Sequence, residues 1–417
     1  MEQYTEMRNS GVPWIQSIPK TWGVRVLFQL ADQVKNKNKD LVEKNLLSLS
    51  YGKINRKDIN NPEGLLPESF DGYNIIETND IVLRLTDLQN DHTSLRVGQS
   101  VERGIITSAY TTLRPSALVN PQYLYYVLHA YDLIKGFYGM GAGVRQGLNY
   151  DEVKTIKLPF PSLQEQTSIV AYLDDHVSQI DSIITEAQAS IEEYRQWKAS
   201  VIFEAVTKGL NPDVPMKESG IQWIGRIPSL WTCCQMKRVI TLINGRAYKD
   251  TEFEEDGKYR VLRVGNLFTN SKWYTSSLEL EADKYCENGD LLYAWSASYG
   301  PYIWDGEKVI YHYHIWKTKL DDKIYKKFAY YYLLALSRNI ASESHGSAMA
   351  HVTMERMNNS YIAFPLYEEQ QRIANYLDQT VDTIDALIAE KENLLIDLEA
   401  YKRSLIYEAV TGKRKVV

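Results

Sequence analysis

Apolar residues between Pro161 and Thr207 advance in steps of four and three through Leu173, Val177, Ile180, Ile184, Ala187, Ile191 and Tyr194, then Val201 and Ala205. A second run, Pro365 to Thr411, repeats the spacing with Leu377, Val381, Ile384 and Ile388, then Leu395, Leu398, Leu405 and Ala409. A step averaging 3.5 residues keeps such side chains on one seam, so each run predicts a coiled-coil helix of about four to five heptads. Neither run contains Pro or Gly beyond its opening proline, and Gly209 and Gly412 follow as helix stops. Roughly 40 residues rising about 1.5 Å each make a rod on the order of 60 Å. Lys198 and Lys402 interrupt the seams at equivalent positions and Lys391 adds a third charge; a lysine in a seam lowers stability and fixes register. Two such helices with a globular stretch between them predict an antiparallel pair, the alternative being that each packs only on its own globular neighbour.

The two runs are copies. PSLQEQTSIVAYLDDHVSQIDSII from Pro161 returns as PLYEEQQRIANYLDQTVDTIDALI from Pro365, and both copies close on EAVT. A second pair, SGVPWIQSIPKTW (Ser10–Trp22) and SGIQWIGRIPSLW (Ser219–Trp231), precedes two unlike inserts of similar size. Within the inserts, Asp80–Leu85, Gly104–Pro115, Asp290–Trp295 and Lys308–Leu320 read as strands. NPQYLYYVLHAYDLIKGFY and IYKKFAYYYLLALSRNI read as amphipathic helices at matching points. The prediction is an α+β protein of two homologous domains with mainly antiparallel β-sheets. Two long helices, packed as an antiparallel coiled coil, separate the domains and give the chain an internal pseudo-twofold repeat. The boundaries are 1–157 and 211–362 for the domains, 158–210 and 363–417 for the helical spacers.

At 417 residues, 44% hydrophobic and 24% charged, the composition is that of a globular protein. No stretch approaches the roughly 20 apolar residues of a membrane span. MEQYTEMRNS has neither the basic cluster nor the apolar run of a signal peptide. Cys233, Cys234 and Cys286 cannot build a disulfide framework, and a reducing cytoplasm is expected. The net charge of −6 speaks against a polyanionic partner until it is divided. Residues 1–160 hold 18 basic and 17 acidic side chains, and residues 211–364 hold 19 and 18. The acid excess lies in 161–210 (3 against 8) and 365–417 (7 against 10), so the inserts are free to carry positive faces.

Catalytic motifs are lacking. No NPPY-like or FxGxG-like pair indicates a methyltransferase, and no GxxxxGK[ST] indicates an NTPase. The glycines Gly139, Gly141 and Gly143 follow a helical run rather than a strand. Asp132 with Glu152 and Lys154 imitates a nuclease set loosely, without a counterpart in the other half. His312 and His314 fall on one face of a predicted strand as a metal pair without a third ligand. Asp174, Asp181, Asp378 and Asp385 recur and read as solvated charge or partner contacts. No catalytic, cofactor-binding or metal-binding residue and no cofactor is therefore assigned. Polar loops do recur at matching places, and Arg, Lys, Asn and Gln are the side chains that reach base edges and phosphates. The candidates for DNA contact are Lys53, Asn55, Arg56, Lys57, Arg84, Asn90, Arg96, Arg145 and Gln146 in the first insert. In the second they are Asn244, Arg246, Lys249, Arg263, Asn266, Ser296, Tyr299 and His351.

The doubled SGVPWIQSIPKTW motif, the doubled P-x-x-x-E-Q-x-x-I-x-x-Y-L-D pattern at the start of each helix, and the doubled EAVT together resemble the specificity subunit of type I restriction–modification enzymes. The resemblance covers essentially the whole chain. It implies that each insert is a target-recognition domain reading one half of a bipartite site in double-stranded DNA. It further implies two methyltransferase subunits, which modify adenine using S-adenosylmethionine, and two ATP-dependent restriction/translocase subunits as partners. The chemistry would belong to those partners. A duplicated-domain scaffold without DNA specificity is the competing expectation.

Overall fold

The computed structural model describes residues 4–60, 69–91, 93–140, 147–268, 271–296, 299–343 and 352–416. Seven α-helices occur among them: α1 (Pro121–Leu133), α2 (Tyr150–Val153), α3 (Leu163–Lys208), α4 (Val264–Phe268), α5 (Lys326–Glu343), α6 (Met354–Asn359) and α7 (Tyr367–Val410). The chain forms two compact units. Unit 1 is Met1–Gln188 with Asn393–Val417, and unit 2 is Ala189–Glu392. Each unit thus takes part of both long helices.

In unit 1, Ala31–Val34, Thr111–Pro115, Ile81–Leu83 and Val97–Gln99 form an antiparallel four-stranded sheet in that order. A second sheet orders Lys53–Lys57, Leu46–Ser50, Gly104–Ile106 and Asn74–Ile76; its Leu46–Ser50/Gly104–Ile106 pair is parallel. Gly23–Val26 pairs with Lys157–Phe160 and delivers the chain into α3. Unit 2 repeats this plan. One sheet orders Ile240–Asn244, Ile315–Leu320, Leu291–Ala294 and Gly300–Ile303. The other orders Tyr274–Ser276, Tyr259–Leu262, Val309–Tyr311 and Tyr285–Cys286, again with its central pair parallel. Thr232–Gln235 pairs with Tyr361–Phe364 before α7.

Two long strand expectations are corrected. Gly104–Pro115 is two strands, Gly104–Ile106 and Thr111–Pro115, joined by a turn in which Tyr110 N–H donates to Thr107 O at 3.2 Å. Lys308–Leu320 likewise divides into Val309–Tyr311 and Ile315–Leu320 at a turn closed by Ile315 N–H to His312 O, 2.9 Å. In both cases the chain leaves one sheet and joins the other, so a continuous β-forming run bends where the two sheets meet. His312 and His314 accordingly lie in a turn, and no metal-binding group of three ligands occurs among the described residues.

The duplicated motifs are explained by bonds made twice. The buried indole of Trp22 donates to Glu165 Oε1 at 3.0 Å, and that of Trp231 to Glu369 Oε1 at 3.2 Å. Gln166, wholly buried, accepts Asn120 N–H at 2.8 Å and donates to Pro161 O at 3.0 Å. Gln370, also wholly buried, accepts Tyr325 N–H at 2.8 Å and donates to Pro365 O at 2.9 Å. The Glu-Gln dipeptide therefore anchors each long helix to its domain: the carboxylate holds the tryptophan of the first motif, and the carboxamide holds the segment entering α1 or α5. A buried amide hydrogen and carbonyl left unmatched would cost about 1–3 kcal/mol each, which accounts for glutamine in both copies. At the helix ends Gly209 and Gly412 adopt φ of +77° and +69°, conformations in which a Cβ is strained. Beside them, Lys413 just after Gly412 donates through Nζ to Ile15 O at 2.6 Å within unit 1, while Lys208 just before Gly209 donates through Nζ to Ile224 O at 2.8 Å within unit 2.

The long helices pair antiparallel inside each unit. In unit 1, Lys402 meets Asp181, and Arg414, four residues past the end of α7, meets the Tyr172 hydroxyl, so position rises on one partner as it falls on the other. In unit 2, Lys198 meets Asp385 and Arg195 meets Glu392 in the same sense. Of the expected seam, Leu173, Ile180, Ile184, Ile191, Leu377, Ile384 and Ile388 are buried, and Val177, Val381 and Leu395 are half-buried. The last turns of α3 depart from the heptad: Ile202 and Val206 are buried where Val201 is half-buried, because that end joins the core of unit 2 around Trp231 and Phe328. A helix of 3.6 residues per turn drifts off a 3.5 repeat once a different partner takes over.

Candidate nucleic-acid interface

Chemistry that could meet DNA lies on the sheet containing the parallel pair and on the turn between sheets. In unit 1 the outer strand Lys53–Lys57 exposes Lys53, Asn55, Arg56 and Lys57 while Ile54 turns inward. Arg56 donates through Nε to both oxygens of Glu102 at 2.7 and 2.8 Å, so its charge is partly matched. Lys53 and Lys57 are exposed on the same strand. Arg84 is half-buried, 4.0 Å from Asp91, and Asn90 Nδ2 donates to Asp87 at 2.9 Å. Arg145 and Gln146 lie outside the described residues.

Arg96 is a correction. Its side chain has no exposed surface. Nη1 donates to Thr86 O at 2.9 Å, Nη2 to the carbonyls of Asp87 and Asp91, and Nε to Tyr138 Oη at 3.1 Å. Its backbone N–H is taken by Asp132 Oδ2 at 2.6 Å. A guanidinium that gathers three carbonyls folds the loop between Leu85 and Arg96 around itself and presents none of its donors to a groove. Asp132 belongs to the same buried knot, where burial raises its carboxyl to about 6. It stands on α1 without a second carboxylate among its hydrogen-bond partners, which removes the nuclease reading.

In unit 2, Asn244 is exposed beside Arg246, whose guanidinium is matched to Glu252 by bonds of 3.0 and 2.6 Å and lies over the Tyr248 ring at 5.2 Å. That pairing holds Glu252 down to about 2. Lys249 is exposed next to it, Tyr299 is half-buried, and Ser296 is buried and so no ready base reader. His351 lies outside the described residues. Arg263 and Asn266 do come together, with Lys272, Tyr274, His312 and His314, around a concavity of about 220 Å³. Asn266 differs from expectation: its Oδ1 accepts Arg263 N–H at 3.1 Å and its Nδ2 donates to Lys272 O at 2.9 Å, so the carboxamide clips the loop together rather than facing outward. The two cations flank one ring, Arg263 at 5.2 Å and Lys272 at 5.6 Å from the centroid of Tyr274. The histidines were misplaced by the strand reading; their recurrence after a β-run with no Gly or Pro gave no sign of a turn.

The recurring aspartates keep contact with water and take partners within the chain. Asp174 accepts Tyr126 Oη at 2.7 Å and Asp378 accepts Tyr331 Oη at 2.8 Å, while Asp181 and Asp385 take the two seam lysines. No helix among the described residues is long and apolar enough to cross a membrane.

Residues 19–193 and 228–396 match the family described as type I restriction modification DNA specificity domain. A Methanocaldococcus jannaschii protein inferred to be the specificity subunit of the type I restriction enzyme MjaX is 23% identical over 434 aligned positions, covering 99% of this chain and 98% of its own. The MjaVIII specificity subunit of the same organism is 26% identical over 76% of this chain and 75% of its own. Among solved structures, a chain from a study of complex assembly and conformational transition in the type I R-M system superposes with a TM-score of 0.73 at 15% identity, over 94% of this chain and 98% of that one. The HsdS subunit from Thermoanaerobacter tengcongensis superposes with a TM-score of 0.52 at 15% identity, over 95% and 98%.

Proposed function

The chain belongs to the family of type I restriction modification DNA specificity domains, and from that premise we propose that it is the sequence-reading subunit of a type I restriction–modification complex. Each insert reads one half of a bipartite, asymmetric site in double-stranded DNA. Two methyltransferase subunits and two ATP-dependent restriction/translocase subunits assemble with it in the cytoplasm; they methylate adenine at N6 or cleave unmodified DNA. The observation that carries this reading is the scaffold made twice, bond for bond, around inserts whose surfaces differ. The same Trp–Glu, Gln–amide and Lys–Asp contacts recur at both copies, whereas the exposed residues of the outer strands and turns do not. Identical frames carrying different faces suit two unlike half-sites.

Two readers joined by stiff helices bind with one loss of orientational freedom, and the second half-site is then met at high effective concentration. Lys53, Asn55, Lys57 and Lys249, all exposed, are the proposed first contacts to phosphate and base edges. The excess of acid on the helices leaves much of the phosphate contact to partner subunits.

Methylation mapping of DNA from a host carrying this chain and its methyltransferase partner tests the proposal: a two-part motif with a fixed unspecified spacer is expected. Inserting four residues beside Ala187 adds about one helical turn, close to 6 Å, and should lengthen the spacer while leaving both half-sites unchanged. Absence of any motif, with methyltransferase bound, would leave a scaffold without DNA specificity.

A further inference from the structure

The two units differ where their outer hairpins turn. In unit 1, Ser50 pairs with Lys53 and only Tyr51 and Gly52 lie between, with φ of +50° and +75°. That is the two-residue hairpin favoured by strand twist. In unit 2 the matching strands, Tyr259–Leu262 and Tyr274–Ser276, are joined by residues 263–273, which include α4. The neighbouring turn differs as well: Thr107–Tyr110 in unit 1 stands where unit 2 has His312–His314. The concavity around Arg263, Lys272, Tyr274, His312 and His314 is built by these two segments, where the hairpin of unit 1 turns in two residues.

Three features mark it as a binding site. Among the described residues that line it are two cations, Arg263 and Lys272, and no carboxylate. His312 Nδ1 is shielded from solvent and has no hydrogen-bond partner among the described residues, an unmet group at the cavity wall. The histidine turn is also clamped from behind. Arg246 N–H donates to Tyr311 O at 3.1 Å and Tyr313 N–H to Arg246 O at 3.0 Å. A Cβ on Gly245 would stand 2.4 Å from His312 O, so this close backbone approach requires glycine. Both walls are thus set before a ligand arrives, the second by the Asn266 clip.

Resting on the reading of the chain as a DNA-specificity subunit, we infer that this concavity takes a nucleotide of the target strand: Arg263 and Lys272 hold its phosphodiester, and His312 reads the base edge beside it. The guanidinium and ammonium suit the phosphate and, held over Tyr274, keep their direction. Burial first, then the nearby His314 and Arg263, holds His312 down to about 4, so at neutral pH it is an uncharged imidazole. It can then discriminate by hydrogen bonding rather than by charge. Sequence preference at this position therefore belongs to unit 2 alone.

The test uses the full chain assembled with its methyltransferase partner, measured on a duplex bearing the mapped motif and by methylation mapping. Arg263→Ala should weaken binding to every sequence and flatten the dependence of log affinity on log salt by about one phosphate contact. His312→Ala should keep the salt dependence but make one base position of one half-site degenerate, with preference falling roughly 5- to 100-fold; the other half-site should not change. Lys272→Gln, at an exposed side chain, repeats the salt measurement should Arg263→Ala fail to fold. An unaltered motif and unaltered salt dependence in variants that melt like the parent overturn the inference. So does normal DNA binding with loss of methyltransferase assembly, which would make the concavity a protein contact. A parent complex that methylates no defined motif would instead overturn the proposed function itself.

Discussion

The ammonium of Lys402 lies 2.7 Å from the carboxylate of Asp181, and the ammonium of Lys198 lies 2.6 Å from that of Asp385. Each residue of the second pair is the repeat equivalent of one in the first, with the roles of the two helices exchanged. A lysine that would weaken an apolar seam is matched in both units by an aspartate from the opposing helix, and only the antiparallel alignment brings the four together as two pairs.

Asp181→Lys should therefore destabilise unit 1 through two facing ammonium groups, while Asp181→Lys combined with Lys402→Asp should recover most of the loss. The coupling is expected near 1 kcal/mol because both side chains keep contact with water. Urea unfolding midpoints of the parent, both single variants and the double variant give the cycle; a double variant no better than the sum of its parts would refute the pairing.

Gln166→Leu leaves the Asn120 amide and the Pro161 carbonyl buried without partners, and a loss of about 2–4 kcal/mol is expected. Gln166→Glu should not rescue it, since a carboxylate cannot donate to the carbonyl. Gln370→Leu should behave alike in unit 2, through Tyr325 and Pro365. Thermal melts of the full chain measure all three.

Asp132 has an ordinary carboxyl value of 3.8 raised to about 6 by burial. The folded carboxyl holds its proton more tightly than the unfolded one, so this residue makes stability fall as pH rises from about 4 to about 6, and the loss is complete above that. Asp132→Asn keeps an acceptor for the Arg96 amide and should abolish this part of the slope, gaining on the order of 3 kcal/mol relative to the parent at pH 7. Unfolding free energies of parent and variant across pH 4–7 should converge at the acid end; parallel curves would contradict the assignment.

Arg96→Met should release the Thr86, Asp87 and Asp91 carbonyls, and a loss of roughly 2–4 kcal/mol is expected. Lys at this position cannot span the fork of acceptors and should restore little. Hydrogen exchange should accelerate first at the amides of Arg84 and Arg96, with unit 2 unaffected.

Periodicity was the part of the sequence that could be read. The heptads, the antiparallel pairing and the two-domain plan follow from it because each repeats many times or occurs in duplicate. Single contacts between distant residues were not readable. Arg96 and Arg84 stand in one polar loop with similar neighbours, yet one is a buried clip and the other half-exposed; the difference is made by Tyr138 and Asp132, about 40 positions away. The partners of Asp174 and Asp181 were not readable, because Tyr126 and Lys402 come from 48 and 221 positions off. One signal was available: lysine and aspartate recur at the same offset in both copies of the helix, as a reciprocal pair must. The breaks at Thr107–Tyr110 and His312–His314 lacked Gly or Pro, so strand propensity alone carried through them.

Unit 2 is a single stretch of chain, Ala189–Glu392, but unit 1 contains Asn393–Val417 as well as Met1–Gln188. On a ribosome adding about 5–20 residues each second, the first-made domain must wait roughly 10–40 s for its missing helix segment. During that interval the apolar faces of Leu173, Ile180 and Ile184 are without the Leu405 and Val410 that later join their core. The domain made second can close first, and the nascent first domain is the one that would need a chaperone.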